Sequence, residues 1–221
     1  MQTPILTLNI GKPVSFRGDG EHSAIAKSPV DSPVFLGRTG ITGDQVADTV
    51  HHGGPDKALH HYPYDHYDYW RGRLPGHAFL KKPGAFGENI STTGIIESEA
   101  RIGDRFRLGA ALIEISHGRQ PCWKLDHRFG VKGKNSVMAD IVRTGKCGFY
   151  YRVIEEGMVA PDAVMKRVER GLAEWTVECV FMLLIGGRGK KDPAALRQLQ
   201  DMELLATNWR ERAARILDNP G

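Results

Sequence analysis

Cysteine is scarce in this chain. Three residues, Cys122, Cys147 and Cys179, stand far apart in 221 positions, with no C-x-x-C pair among them. An odd and scattered set supplies no disulfide framework and suits a reducing compartment. Long apolar runs are missing as well. The longest, CVFMLLI at 179–185, falls far short of the ~18 residues that mark a bilayer span. The opening MQTPILTLNI lacks the cationic start, apolar core and cleavage site of a secretory signal. A cytoplasmic protein without membrane attachment is therefore expected. Nor does the chain hold a G-x-G-x-x-G dinucleotide fingerprint, an iron–sulfur cysteine set or a G-x-S-x-G nucleophile elbow.

Positive charge is present without being concentrated. The net charge is +4, and residues 162–221 contribute ten Lys/Arg against nine Asp/Glu. The remainder has no basic run longer than Lys81-Lys82. A nucleic-acid surface usually needs a stripe of cations, so no stable nucleic-acid binding is expected. A mild, spread excess fits a pocket for a small anion equally well. The length suits one sizeable domain with at most a small appendage.

Up to about residue 165 the texture is β-rich, with short apolar runs such as ILTLNI, SAIAK and PVFLG between glycine and proline turns. In DRFRLGAALIEIS (104–116), Phe106 and Leu108 alternate with Arg105 and Arg107 before Gly109-Ala110. Ala111, Ile113 and Ile115 then alternate with Leu112 and Glu114. That pattern predicts a hairpin with one buried face. GFYYRVIEEGMV (148–159) is a further β-type run. Two helices are expected to interrupt the strands: PYDHYDYWRGRL (63–74), opened by proline, and NSVMADIVRT (135–144), opened by the cap residues Asn135 and Ser136. After residue 172 the segments AEWTVECVFMLLI, DPAALRQLQDME and ATNWRERAARIL read as three helices. The expected division is a main domain over 1–168 and a three-helix appendage over 169–221, too small to stand alone and docked on the β domain.

Five of the nine histidines fall in HHGGPDKALHHYPYDHYDYW (51–70). A zinc-protease helix needs two histidines four apart around a glutamate, but glycine-proline stands where that helix should be. Most of these histidines read as surface and core residues around a turn. HGGPD itself fixes a sharp turn where backbone can approach a ligand, which makes the bordering His52 a candidate. In FGENIST (86–92), Glu88 and Asn89 follow a glycine. Asn89 can donate and accept at once, as a heterocycle edge requires, or simply hold its turn together. EISHGRQPCWKLDHRFG (114–130) surrounds Cys122 with His117, Arg119, Lys124 and His127. Nearby cations favour thiolate, whereas a structural cysteine more often has apolar neighbours. On composition and spacing alone, Cys122 stays open as nucleophile, metal ligand or buried sulfur.

Six segments in order, SAIAK (23–27), GITGDQVAD (40–48), HGGPDKALHHYP (52–63), GAFGENISTTGIIESEARIGDRFRLGAALIEIS (84–116), RQPCWKL (119–125) and TGKCGFYYRV (144–153), resemble the MOSC family. The family is named for the C-terminal domain of molybdenum cofactor sulfurase. The likeness covers most of residues 20–165 and is to the stand-alone bacterial branch typified by a hydroxylaminopurine-resistance protein. It implies an α/β (α+β), β-barrel-like fold with a small C-terminal three-helix appendage. It also implies binding of the molybdenum cofactor, Mo-molybdopterin, with Cys122 of RQPC as metal ligand and catalytic residue. A soft thiolate suits such a centre. Motif position then nominates Lys27, Lys57, Arg119 and Arg152 for the cofactor phosphate, Asn89 for the pterin or substrate, and His52 for cofactor contact and proton transfer. His117-Gly118 departs from the less turn-prone pair expected before RQPC; this bears on the pocket mouth and leaves the ligand position intact. Cys147 and Cys179 read as structural.

The activity implied by the resemblance is reduction of small N-hydroxylated compounds, such as hydroxylaminopurine-type base analogues, to amines. Electrons would come from a separate flavoprotein or ferredoxin-type donor, docked on the helical tail or the β domain. A molybdenum cofactor carrier and a cysteine-based sulfur carrier, both without turnover, stand as alternatives, with a zinc hydrolase last. Homodimer formation is left open.

Overall fold

Short apolar stretches between glycine turns build fourteen strands in the computed structural model, which describes residues 1–18, 20–48 and 53–219. One curled sheet runs from edge to edge as β1 (Gln2–Pro4), β14 (Val164–Glu169), β10 (Arg105–Leu108), β11 (Ala111–Gly118), β12 (Phe149–Glu155), β8 (Leu59–His61), β9 (Ile90–Ser91), β2 (Thr7–Ile10) and β5 (Ser28–Pro29). A second sheet joins β13 (Gly157–Val159), β6 (Val34–Gly37) and β7 (Gly40–Ile41). A separate hairpin pairs β3 (Val14–Arg17) with β4 (Glu21–Ser23). The helices are α1 (Tyr67–Arg73), α2 (Trp123–Arg128), α3 (Val137–Thr144), α4 (Val177–Leu184), α5 (Pro193–Asp201) and α6 (Thr207–Asp218). The α/β, half-barrel architecture with C-terminal helices is the expected one.

The expected hairpin is β10–β11, with Phe106 opposite Ile113 and Leu108 opposite Ala111. Its turn needs glycine: Gly109 has φ of 59°, and a Cβ there would lie 2.4 Å from the Met158 carbonyl oxygen. One expectation fails at this hairpin. Every residue of β11 is buried, on both faces, where the alternation predicts one wet face. Glu114 is tolerated inside because Arg105 Nε (2.7 Å) and Arg152 Nη1 (3.0 Å) donate to its carboxylate.

The helices follow their caps. Ser136 Oγ accepts from Ala139 N ahead of α3, Thr176 Oγ1 from Cys179 N ahead of α4, and Asp192 Oδ1 from Ala195 N ahead of α5. The helix expected over 63–74 divides into a 3₁₀ turn at Tyr64–His66 and then α1. The short α2, directly after Cys122, was not expected.

The last three helices share the core of the sheet. Six of the eight α4 residues are buried, and Trp209 of α6 sets its ring 5.4 Å from that of His117 on β11. Backbone bonds join the two parts: Ala206 N donates to Ser116 O at 3.2 Å and Val177 N to Ala100 O at 2.8 Å. Trp209→Ala should therefore cost about 3–5 kcal/mol, read as a lower urea midpoint in a single transition. A drop of under about 1 kcal/mol would mean that the helices do not depend on this anchor.

Candidate functional site

Three segments distant in sequence converge on the carboxylate of Asp44, which follows β7. Its Oδ1 accepts from Gly11 N (2.7 Å) and Lys27 Nζ (2.5 Å), and its Oδ2 accepts from Lys27 Nζ (2.5 Å) and Asn89 Nδ2 (2.8 Å). Asn89 Nδ2 also donates to Asn9 O, while its Oδ1 accepts from His60 N, both at 3.0 Å. The loop before Asn89 is fixed by Glu88, which accepts from Gly84 N (2.6 Å), Phe86 N (2.9 Å) and Tyr67 Oη (2.6 Å). These bonds build one wall of an open cleft.

The opposite wall comes from the end of β11. Arg119 N continues the ladder by donating to Gly148 O at 2.9 Å. Pro121 and the extended backbone of Cys122 (φ −132°, ψ 165°) then swing the chain into α2. Cys122 stands at the helix start, half-buried, and lines the cleft with Arg119 and Lys124. The floor is Tyr150 of β12 and His60 of β8. Their rings lie 4.9 Å apart, and His117 stacks on the other side of Tyr150 at 5.2 Å.

Burial sets the electrostatics. His60 is held well below its ordinary pKa by burial and by the Arg119 guanidinium, so its imidazole is neutral. Burial lowers Lys27 despite Asp44 beside it, lowers Lys57, and raises the Tyr150 hydroxyl, which therefore keeps its proton. Two buried polar atoms, Arg119 Nη1 and His60 Nε2, have no hydrogen-bond partner among the described residues. An unsatisfied buried donor costs about 1–3 kcal/mol, so such pairs at a cleft mark a place where a ligand completes the bonding.

Of the residues nominated from sequence, Cys122, Arg119, Lys27, Lys57 and Asn89 line this one cleft. Lys27 and Asn89 do so with their polar groups already engaged. Arg152 is not brought to it: its guanidinium donates to Asp56 Oδ1 (2.8 Å), Glu114 Oε1 (3.0 Å) and Leu204 O (3.0 Å), joining β12 to β11 and the helical tail. His52 lies outside the described residues. Sequence reasoning missed Asp44, His60 and Tyr150. For Asp44 the only signal was its place within GITGDQVAD. No group of three or more His, Cys, Asp or Glu side chains converges among the described residues, which leaves the zinc reading without a site there.

The cleft of this half-barrel thus presents a cysteine thiol, buried cations and two neutral ring side chains. The MOSC domain family matches residues 48–166. The chain is 39% identical over 211 residues to the protein YflK of Bacillus subtilis, covering 93% of this chain and 90% of that one. It is 45% identical over 152 residues to protein YiiM of Escherichia coli, 69% of this chain and 66% of that one. A longer protein called a reductase, from Gibberella moniliformis, is 39% identical over 156 residues, 70% of this chain and 27% of its own length. The crystal structure of YiiM from Geobacillus stearothermophilus superposes with a TM-score of 0.80 at 32% identity, over 97% of this chain and 99% of that one. The chain belongs to the MOSC family, whose domains are associated with molybdenum cofactor binding. No helix among the described residues is long and apolar enough to cross a membrane.

The buried neutral histidines carry a testable consequence. His61, between Tyr151 Oη (3.0 Å) and Thr92 Oγ1 (3.1 Å), is lowered by burial to about 3 from 6.5. Between those values the unfolded chain binds more protons, so this stability is complete above the unfolded pKa and is lost as pH falls toward the folded one. The slope is about 1.4 kcal/mol per pH unit for each such histidine. His60 and His117 shift in the same direction. Urea unfolding compared at about pH 7.5 and about pH 5 should show a lower acid midpoint, with a shallower dependence in His61→Gln. Equal pH slopes in parent and variant would contradict a buried neutral His61.

Proposed function

We propose that this protein is a molybdenum-cofactor-dependent oxidoreductase that reduces N-hydroxylated compounds to amines with electrons from a separate redox protein. The observation that carries the reading is the position of the Cys122 thiol in the same cleft as two buried nitrogens without a hydrogen-bond partner among the described residues, Arg119 Nη1 and His60 Nε2.

The residues present fit the cofactor. Cys122 offers a soft thiolate as protein ligand, half-exposed at the cleft. Arg119, with Lys57 on the same lining, supplies the charge that a phosphate needs, and its free Nη1 matches an acceptor oxygen. Bound there, the cofactor would supply the two electrons that convert an N–OH group to N–H, the oxygen leaving as water. The chain's own part is to anchor, orient and protonate. Neutral His60 hydrogen-bonds without adding charge. Lys27, lowered by burial yet still bonded to Asp44, is the cleft-wall group best matched to giving a proton to the leaving oxygen. The reductase name of one relative supports the reaction class. The donor is required because the chain has no sequence set for a flavin, nicotinamide or iron–sulfur group.

Protein purified from a molybdenum-replete host should hold near-stoichiometric Mo and pterin, and Cys122→Ser should lose the metal. The loaded parent, given reduced methyl viologen, should convert hydroxylaminopurine to the amine. Metal without any turnover would assign a cofactor carrier instead. Absence of Mo from the parent, with persulfide on Cys122, would assign a sulfur carrier.

A further inference from the structure

The charges of this protein are unevenly paired. Among the described residues, eight arginines elsewhere, among them Arg73, Arg105, Arg107 and Arg152, lie within 4.0 Å of a carboxylate. Around α2 the pattern reverses. Residues 119–134 carry Arg119, Lys124, Arg128, Lys132 and Lys134 against one acid, Asp126. That acid is turned to other use: its Oδ2 accepts from Ser136 Oγ (2.6 Å) and its Oδ1 from Met138 N (2.9 Å) at the start of α3. The β3–β4 hairpin lies on the same helix. His22 O accepts from Lys124 Nζ at 2.9 Å, Phe16 O bonds His127 Nε2 at 3.0 Å, and the Arg17 guanidinium lies 4.5 Å over the Trp123 ring. The loop carrying Lys132 and Lys134 follows α2 directly, Val131 N closing the helix end on Asp126 O at 2.9 Å. Arg17, Lys132 and Lys134 are exposed, and no ion pair neutralises them among the described residues. Trp123 is 37% exposed; the hairpin carries two acids, the exposed Glu21 and Asp19, the latter outside the described residues.

An exposed tryptophan among unpaired cations is the form of an interface anchor with an electrostatic rim. Its place narrows the partner, because Trp123 follows Cys122 directly and the two share the first turn of α2. Resting on the reductase reading, which needs an outside electron source, we propose that the face formed by α2, the β3–β4 hairpin and the 131–134 loop docks an acidic redox protein and brings its electrons in beside Cys122. The aromatic centre gives contact area, and Arg17, Lys132 and Lys134 steer a partner of opposite charge, an effect that salt screens.

The test uses the cofactor-loaded full chain, the triple variant Arg17→Glu/Lys132→Glu/Lys134→Glu, and a control, Lys190→Glu/Lys191→Glu, at exposed cations in the tail. None of these five positions lines the cleft. The probe is a plant-type [2Fe–2S] ferredoxin, a small acidic redox protein, titrated by calorimetry at low and high salt. Viologen-driven turnover is measured in parallel. The triple variant should bind the ferredoxin at least about tenfold more weakly and lose most of the salt dependence. The control should bind like the parent, and all three should share one viologen-driven rate. Equal binding by parent and triple variant, equal loss in the control, or capture of a single-stranded oligonucleotide in place of ferredoxin would overturn the proposal. Patch-dependent ferredoxin binding without viologen-driven turnover would support the surface and count against the reductase reading alone.

Discussion

The carboxylate of Asp44 is the interaction on which the cleft depends. A lysine as buried as Lys27 is unfavourable unless its charge is met, and Asp44 meets it with both oxygens. The same carboxylate fixes Gly11 and Asn89, so the segments after β2, β4 and β7 and the one before β9 reach one wall in one arrangement. The pairing also has a chemical consequence. By engaging Asn89 and Lys27 inside the fold, it leaves recognition of a ligand chiefly to Arg119 and His60 on the facing wall and floor.

Those two residues give the cleft its character. Arg119 has no ion pair with a carboxylate among the described residues, and His60 is kept neutral by burial and by that same cation. Tyr150 retains its proton between His60 and His117. Cations, a thiol and two neutral rings are the lining that the proposed anionic, soft-metal cofactor would meet. Outside it, the unpaired charge of α2 extends the positive field to the surface, whereas on β10, β12 and β14 arginines and glutamates neutralise one another.

Much of this was legible in the sequence where local patterns decide the outcome. The β10–β11 hairpin, the Ser136 and Asp192 caps and the cysteine flanked by cations all follow from neighbours in the chain. What local pattern could not supply was the partner across space. Glu114 reads as a wet residue until Arg105 and Arg152 enclose it. Arg152 suits a phosphate by charge and motif position, but Asp56 and Glu114 hold it elsewhere. In the pair His60-His61, alternation along β8 puts His60 against Tyr150 at the cleft and His61 against Phe149 in the core, a choice that only the β12 register settles. The helix α2 is too short, at six residues, to show a period.

The central claim is that Cys122 and Arg119 together receive one anionic metal cofactor. A crystal structure of the protein purified from a molybdenum-replete host tests it most directly. The account predicts metal density bonded to Cys122 Sγ and an oxyanion of the same cofactor within hydrogen-bond distance of Arg119 Nη1. A cofactor bound elsewhere, or a loaded cleft in which Cys122 does not touch the metal, would contradict it.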